Sequence, residues 1–115
     1  MYQFTFVMQR FEVFKMITLT GKQKRQLRAL ANTIDAQIQI GKNEISDNLI
    51  ETIDKALTAH ELIKISVLKS VDSPLLEIAL DVSSATNSTI VQTIGRVIVL
   101  YRQNLKKADH IKLQK

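Results

Sequence analysis

A short glycine-containing segment in the first half of the chain has the residue types and spacing of a phosphate contact. Residues 41–44 (GKNE) follow an alternating stretch at 37–40 and precede a helix predicted to begin at Ser46. Glycine lets the backbone approach a ligand closely, and the unpaired amides of a helix start attract anions. Lys42 and Asn43 could instead be ordinary turn residues. A Walker loop is excluded, because the glycine-lysine pair followed by serine or threonine is absent.

His60 and Glu61 form the pair of neighbouring residues that could support acid–base chemistry. No serine, cysteine or second histidine is spaced to complete a catalytic triad or a metal site with them. A structural role for His60 near a helix C-terminus is therefore the favoured interpretation. The sequence predicts a noncatalytic protein without a cofactor.

Three carboxylates, Asp47, Glu51 and Asp54, share one side of the second predicted helix and could hold a divalent ion. A metal site needs more oxygen ligands than this spacing offers. We expect these side chains to be solvated, with Glu51 and Lys55 forming a helix-supporting ion pair at the i, i+4 spacing. No metal site is predicted.

Length and composition fit one globular domain. The chain has 115 residues, of which 45% are hydrophobic and 23% charged. No cysteine is present, so disulfides and thiolate metal sites are excluded, and a reducing cytoplasm is the expected compartment. The longest apolar stretch near the C-terminus, residues 97–101, has only the length of a strand, so no membrane partner is expected.

Positive charge is concentrated in two parts of the chain. The formal net charge is +5, and the first predicted helix carries four cations without an acid, namely Lys22, Lys24, Arg25 and Arg28. The C-terminal end adds Lys106, Lys107, Lys112 and Lys115. A single positive face attracts polyanions more readily than small phosphorylated metabolites, which predicts nucleic-acid binding. The alternative is a solvated helix face without a ligand.

The first fifteen residues differ in composition from the rest. All four phenylalanines and Tyr2 precede Met16. A secretory signal is disfavoured, because charges follow the apolar part instead of preceding it. Two alternatives remain: a natural extension that forms an extra strand or a self-association surface, or a start assigned too early, with Met8 or Met16 as the initiator. We therefore divide the chain into 1–15, a domain at 16–103 and a basic tail at 104–115.

Hydrophobic periodicity predicts seven elements. Three helices are expected: one from Thr20 to about Ala31, one that begins at Ser46, and one that begins at Ser73-Pro74 and fades into the polar residues 83–88. Strands are expected at 37–40, 61–68, 89–94 and 97–102. Gly95-Arg96 should form a tight turn between the last two strands. The order αβαβαββ predicts an α/β fold, one mixed four-stranded sheet covered by helices in two or three layers. Tyr101 is expected to pack rather than to stack on a base.

Four stretches in this order resemble one known family. They are Leu19-Thr20-Gly21-Lys22-Gln23-Lys24-Arg25-Gln26-Leu27-Arg28-Ala29-Leu30-Ala31, Ile40-Gly41-Lys42-Asn43, His60-Glu61-Leu62-Ile63-Lys64-Ile65, and Val91-Gln92-Thr93-Ile94-Gly95-Arg96-Val97-Ile98-Val99-Leu100-Tyr101-Arg102. Together they resemble the chloroplast RNA splicing and ribosome maturation (CRM) domain in its single-domain bacterial YhbY-type form.

The resemblance implies a fold similar to the C-terminal domain of translation initiation factor three. It also implies RNA binding and association with the maturing large ribosomal subunit, hence a part in ribosome biogenesis. The family carries a Gly-x-x-Gly loop comparable to the RNA-clamping loop of KH domains. Here Glu44 replaces the second glycine, and its carboxylate would repel a phosphate.

The predicted RNA-binding residues combine the basic helix, the loop and the last motif. They are Lys22, Lys24, Arg25, Arg28, Gly41, Lys42, Asn43, Gly95, Arg96 and Arg102. Ribosomal RNA or a large-subunit precursor is the expected partner, and no small-molecule substrate is expected. The alternative function is a protein-interaction module that self-associates through the aromatic N-terminal segment.

Overall fold

The computed structural model describes residues 19–42 and 45–115. The predictions made for residues 1–15, for the alternative starts Met8 and Met16, and for Asn43 and Glu44 lie outside these residues. Within the described ranges, no helix combines the length and the apolar character that crossing a bilayer requires.

Helix α1 (Gly21–Ala31) begins at a capping box that the sequence analysis did not identify. The Thr20 hydroxyl accepts from the Gln23 amide at 3.1 Å, and the Gln23 side-chain oxygen accepts from the Thr20 amide at 3.0 Å. At the other end, Lys64 Nζ donates to the carbonyls of Ala31 and Ile34, both at 3.0 Å. A cation is favourable at the negative end of the helix dipole, so both ends of α1 are stabilised.

Strand β1 (Ile38–Ile40), helix α2 (Asp47–His60) and strand β2 (Leu62–Val67) follow in the predicted order. Ser46 is the N-cap of α2, as expected, and its hydroxyl accepts from the Leu49 amide at 3.1 Å. The helix stops at Glu61, whose φ of 65° lies in the left-handed region that non-glycine residues seldom adopt. Its amide still donates to the Leu57 carbonyl at 2.8 Å, so the chain turns directly from α2 into β2.

Helix α3 (Leu75–Thr86) is longer than predicted. The expectation that polar residues 83–88 end it near Ser83 is wrong. The Ser83 hydroxyl donates to the Leu80 carbonyl at 3.1 Å, and the Thr86 hydroxyl donates to the Val82 carbonyl at 2.7 Å. Because these side chains bond back to their own helix, they can be buried and the helix continues. It ends at Asn87, which adopts the left-handed conformation.

Strands β3 (Thr89–Ile94) and β4 (Val97–Tyr101) form an antiparallel hairpin across the predicted two-residue turn. Gly95 has a φ of 58°, which a side chain would disfavour, so glycine is favoured there. The sheet order is β1-β2-β4-β3, with β1 parallel to β2 and the other pairs antiparallel. The predicted mixed four-stranded sheet is confirmed.

Helices cover both faces of the sheet. One face packs against α2 and α3 through a core of Ile40, Ile53, Leu57, Ile63, Ile65, Ile78, Val82, Ile98 and Leu100. The other face packs against α1 through Leu19, Leu27, Ala31, Leu62, Val91, Val99 and Tyr101. Successive residues of β4 alternate between the two cores, as a strand buried on both faces requires. The architecture is a three-layer α/β sandwich.

Candidate nucleic-acid interface

The cationic side of α1 is the most extensive group of predicted site residues. Lys22 and Arg25 are exposed, whereas Lys24 and Arg28 are half-buried at the flank of the helix. The first turn of α1 contains no acid. Among the residues that the structure describes, none of these four cations forms an ion pair. Their charge is therefore uncompensated locally and available to an anionic ligand.

The loop after β1 and the β3–β4 turn lie at the same end of the sheet. The Leu68 amide donates to the Ile40 carbonyl at 2.9 Å, next to Gly41, and the Val67 amide donates to the Arg96 carbonyl at 2.8 Å. Lys42 is exposed there. The structure thus brings Gly41 and Lys42 close to Gly95 and Arg96, as a shared site would need.

Arg96 is tied into the fold at this end. Its guanidinium donates to the carbonyls of Val67 at 2.9 Å, Leu68 at 2.8 Å and Val71 at 3.5 Å. These bonds satisfy carbonyls where β2 ends and hold the hairpin turn against the loop that leads to α3. A structural role accounts for this residue, and its contact with RNA stays a prediction.

Arg102 lies at the opposite end of β4. Its guanidinium donates to the Asp54 carboxylate at 2.6 Å, the Asp54 carbonyl at 2.9 Å, the Thr58 hydroxyl at 2.8 Å and the Thr86 carbonyl at 2.8 Å. The rise of a strand puts Arg102 about 20 Å along the sheet from Arg96. The structure therefore divides the predicted site, and RNA contact by Arg102 also stays a prediction.

The other candidate chemical groups have ordinary structural surroundings. Glu51 and Lys55 form the predicted helical ion pair at 3.1 Å. His60 is exposed in the last turn of α2. Within residues 19–42 and 45–115, no group of three or more histidine, cysteine or carboxylate side chains is arranged to hold a metal ion.

Tyr101 packs in the core beneath α1, as predicted. Its side chain is 1% exposed, and its hydroxyl has no hydrogen-bond partner within the described part of the chain. Burial, with a smaller contribution from the nearby charge of Glu61, raises the pKa of Tyr101 to about 12. This tyrosine cannot serve as a base-stacking platform.

Glu61 holds the C-terminal tail, which sequence reasoning missed. The carboxylate is fully buried and accepts from the Asn104 amide at 2.8 Å and from the Ile111 amide at 2.7 Å, one bond to each oxygen. A carboxylate that receives two backbone amides forms charge-assisted bonds, which are stronger than neutral ones. Both ends of the segment between Asn104 and Ile111 are therefore fixed at one point.

The last residues of the tail lie along α1. Gln26 donates to the Lys112 carbonyl at 2.8 Å and accepts from the Gln114 amide at 2.8 Å, and Gln23 donates to the Gln114 carbonyl at 2.8 Å. Two apolar residues pack against the α1 core, Ile111 and Leu113. The apolar, basic, apolar order of 111–113 was the sequence signal for an extended docked segment. Lys112 consequently projects beside the cationic helix.

The fold agrees with comparisons to known proteins. A family model described as the CRS1/YhbY (CRM) domain matches residues 19–102. The chain belongs to this family. The CRM match runs from the residue before the α1 cap to the end of the sheet, so it confirms the resemblance carried by the four sequence stretches. The tail lies beyond it.

Other CRM proteins are similar over most of the chain. "Probable RNA-binding protein YqeI" of Bacillus subtilis is 44% identical over 86 residues, 75% of this chain and 90% of that protein. A Haemophilus influenzae "RNA-binding protein" is 36% identical over 87 residues, 76% of this chain and 88% of that protein. The solution structure of the hypothetical protein SAV1595 from Staphylococcus aureus, for which RNA binding is suggested, has a TM-score of 0.71 and 47% identity. The superposition covers 84% of this chain and 100% of the SAV1595 chain.

Proposed function

We propose that this chain is a noncatalytic RNA-binding protein that assists assembly of the large ribosomal subunit in the cytoplasm. The observation that carries the proposal is the row of cations on α1 without ion-pair partners in the described part of the chain. Support comes from CRM relatives that are named RNA-binding proteins. Residues 16–103 are the RNA-binding domain, and ribosomal RNA or its precursor is the ligand.

Affinity in this proposal comes mainly from phosphate neutralisation. Lysine and arginine side chains displace the counterions of the RNA backbone, and this term depends on salt but not on base sequence. Helix α1 is the principal contact. The loop at 41–43 adds Lys42 and the backbone next to the start of α2, where unpaired amides favour an anion. Arg96 and Arg102 hold the two ends of the sheet through their bonds to the fold.

Reversing charge on the two exposed cations of α1 tests the helix directly. The double variant Lys22→Glu/Arg25→Glu should retain its thermal unfolding midpoint, because neither side chain is buried. Its affinity for a large-subunit RNA precursor should fall at least about tenfold, and the slope of log affinity against log salt should decrease by about 1.5 to 2. A filter-binding titration across salt concentrations measures both quantities.

The matched control carries the same change in net charge elsewhere. Lys55→Glu on α2 is compared with Arg25→Glu alone, which changes the net charge by the same amount, and should leave the affinity nearly unchanged. Equal losses in both variants would show that net charge, not α1, determines binding. Unchanged affinity of the α1 variant would remove the helix from the interface.

The ribosomal part of the proposal needs a separate experiment. Crosslinking in cells, followed by sequencing of the attached RNA, should recover large-subunit ribosomal RNA. Recovery of other RNAs alone would overturn the ribosomal assignment and leave RNA binding in place. A protein partner that persists after nuclease treatment, with no crosslinked RNA, would favour the self-associating interaction module.

A further inference from the structure

A cleft lies between the start of α1 and the docked tail. The cleft is shallow and open to solvent, and its volume is about 530 Å³. Helix α1 and its cap contribute Thr20 and Gln23, and the tail contributes Gln103, Leu105, His110 and Lys112. Among the described residues, none of those lining the cleft is acidic.

We propose that this cleft binds one unpaired nucleotide of the RNA. The inference rests on the proposed function and deepens it, since it adds recognition of a single-stranded segment to a basic helix that binds phosphate. A nucleobase presents two flat apolar faces and a polar edge, and single-stranded RNA is recognised by stacking and edge hydrogen bonds. Leucine and histidine side chains suit the faces, the Gln103 amide suits the edge, and Lys112 suits the phosphate.

Leu105 has the most exposed large apolar side chain in the described part of the chain. Its side chain is 65% exposed, although the tail residues around it are fixed by hydrogen bonds. A large apolar side chain held at the mouth of a cleft costs free energy in water, and a base face that covers it would recover this cost. We assign Leu105 to contact with the base.

The tail is fixed before the ligand arrives. Glu61 accepts two tail amides, and Gln23 and Gln26 bind the backbone of Lys112 and Gln114. A wall that is already ordered loses little conformational entropy on binding, so even a shallow cleft can distinguish unpaired from paired nucleotides. Glu61 thereby acts as a positioning residue for the cleft.

The cleft and the basic helix form one continuous surface. Gln26, which holds the Lys112 carbonyl, lies one helical turn after Lys22 and therefore on the same side of α1. A strand that inserts a base near Leu105 can therefore continue past Lys112 to the exposed cations of α1. The expected ligand is a structured RNA that presents a bulged or unpaired nucleotide next to a helix.

Two single substitutions separate this cleft from the helix. The probes are a labelled single-stranded RNA of about ten nucleotides and a fully paired RNA duplex of equal length, titrated by fluorescence anisotropy. Leu105→Ala should weaken the single strand about fivefold, since it removes roughly 1 kcal/mol of apolar contact, and should leave the duplex unchanged. Lys112→Gln should weaken the single strand about threefold and reduce its salt slope by about 0.7.

The chain offers a matched control for each substitution. Leu76→Ala removes a leucine of similar exposure, 58%, on α3, which covers the other face of the sheet. Lys55→Gln removes an exposed lysine on α2. Both should keep single-strand and duplex affinities within about twofold of the unchanged protein, as expected for surface positions outside the ligand site.

The outcomes distinguish this inference from the proposed function. If Leu105→Ala changes neither affinity, or both equally, while Lys22→Glu/Arg25→Glu still loses RNA, the cleft is not a nucleotide site and the basic helix remains the interface. If the unchanged protein binds the large-subunit RNA precursor but not the single strand, the cleft proposal alone is overturned; if it binds neither the precursor nor either probe, both proposals are overturned. Selective loss of the single strand in Leu105→Ala and Lys112→Gln, with both controls unaffected, supports the cleft.

Discussion

Replacing Glu61 with glutamine tests whether its carboxylate holds the C-terminal tail in place. The substitution preserves the shape of the side chain but exchanges one oxygen for an NH2 group. In the protein, each carboxylate oxygen accepts one backbone amide, from Asn104 at 2.8 Å and from Ile111 at 2.7 Å. In Glu61→Gln, one of these amides faces another donor. We expect that end of the tail to detach more often.

The magnitude follows from the two bonds. A buried donor without an acceptor costs about 1 to 3 kcal/mol, and the surviving bond weakens by about 1 kcal/mol when its acceptor becomes neutral. Removing a buried charge returns part of this loss, because desolvation of the carboxylate is relieved. We expect a net decrease of about 2 kcal/mol in the free energy of unfolding.

Two measurements check the Glu61→Gln prediction. Urea denaturation should show the decrease in unfolding free energy, and amide hydrogen exchange at Ile111 should accelerate at least about tenfold, because opening of the tail is local. Glu51→Gln is the control; it breaks an exposed ion pair and should cost about 0.2 to 0.5 kcal/mol without affecting Ile111. Unchanged exchange at Ile111 in Glu61→Gln would refute the reasoning.

Two other buried contacts give measurable expectations. Tyr101→Phe removes a hydroxyl without a described partner and should raise the unfolding free energy at neutral pH by about 1 kcal/mol. Because the folded pKa is about 12 against 10.0, the unchanged protein should lose about 2 kcal/mol of unfolding free energy as pH rises from 10 to 12. Urea titrations showing the same loss in Tyr101→Phe would contradict this. Arg96→Leu leaves the carbonyls of Val67 and Leu68 without this donor and should lower the unfolding free energy, measured by urea denaturation, by about 2 kcal/mol. The control, Arg25→Leu on the exposed side of α1, should change the unfolding free energy by less than about 0.5 kcal/mol.

The order of helices and strands could be predicted because burial leaves a periodic signal. In β4, alternate residues enter opposite cores, and both sides are apolar, which gives the continuous β-branched run of a central strand. Ser46 marked the start of α2 through its capping hydroxyl. The end of α3 was misjudged because Ser83 and Thr86 look like loop residues until their bonds to the preceding helical turn are known.

The docked tail could not be predicted by the same reasoning. Glu61 and Ile111 are 50 residues apart, and Gln26 and Gln114 are 88 residues apart. No local rule links residues at such separations, since the sheet must form before they meet. The same limit applies to the two arginines of the last motif. A solvated arginine at a turn and one that binds distant carbonyls have identical sequence surroundings.

The contacts of Arg96 and Arg102 change how their substitution must be interpreted. Each guanidinium binds at least three oxygen atoms of the fold, and the charge of Arg102 is paired with Asp54. Replacing either residue should therefore lower the folded fraction before it removes any phosphate contact. The side chains of the exposed cations of α1 and of Lys112 form no such bonds in the described structure. Loss of RNA affinity in a variant identifies an interface residue only if the free energy of unfolding of that variant is unchanged. Substitutions of Lys22, Arg25 and Lys112 can meet this condition, whereas substitution of Arg96 cannot.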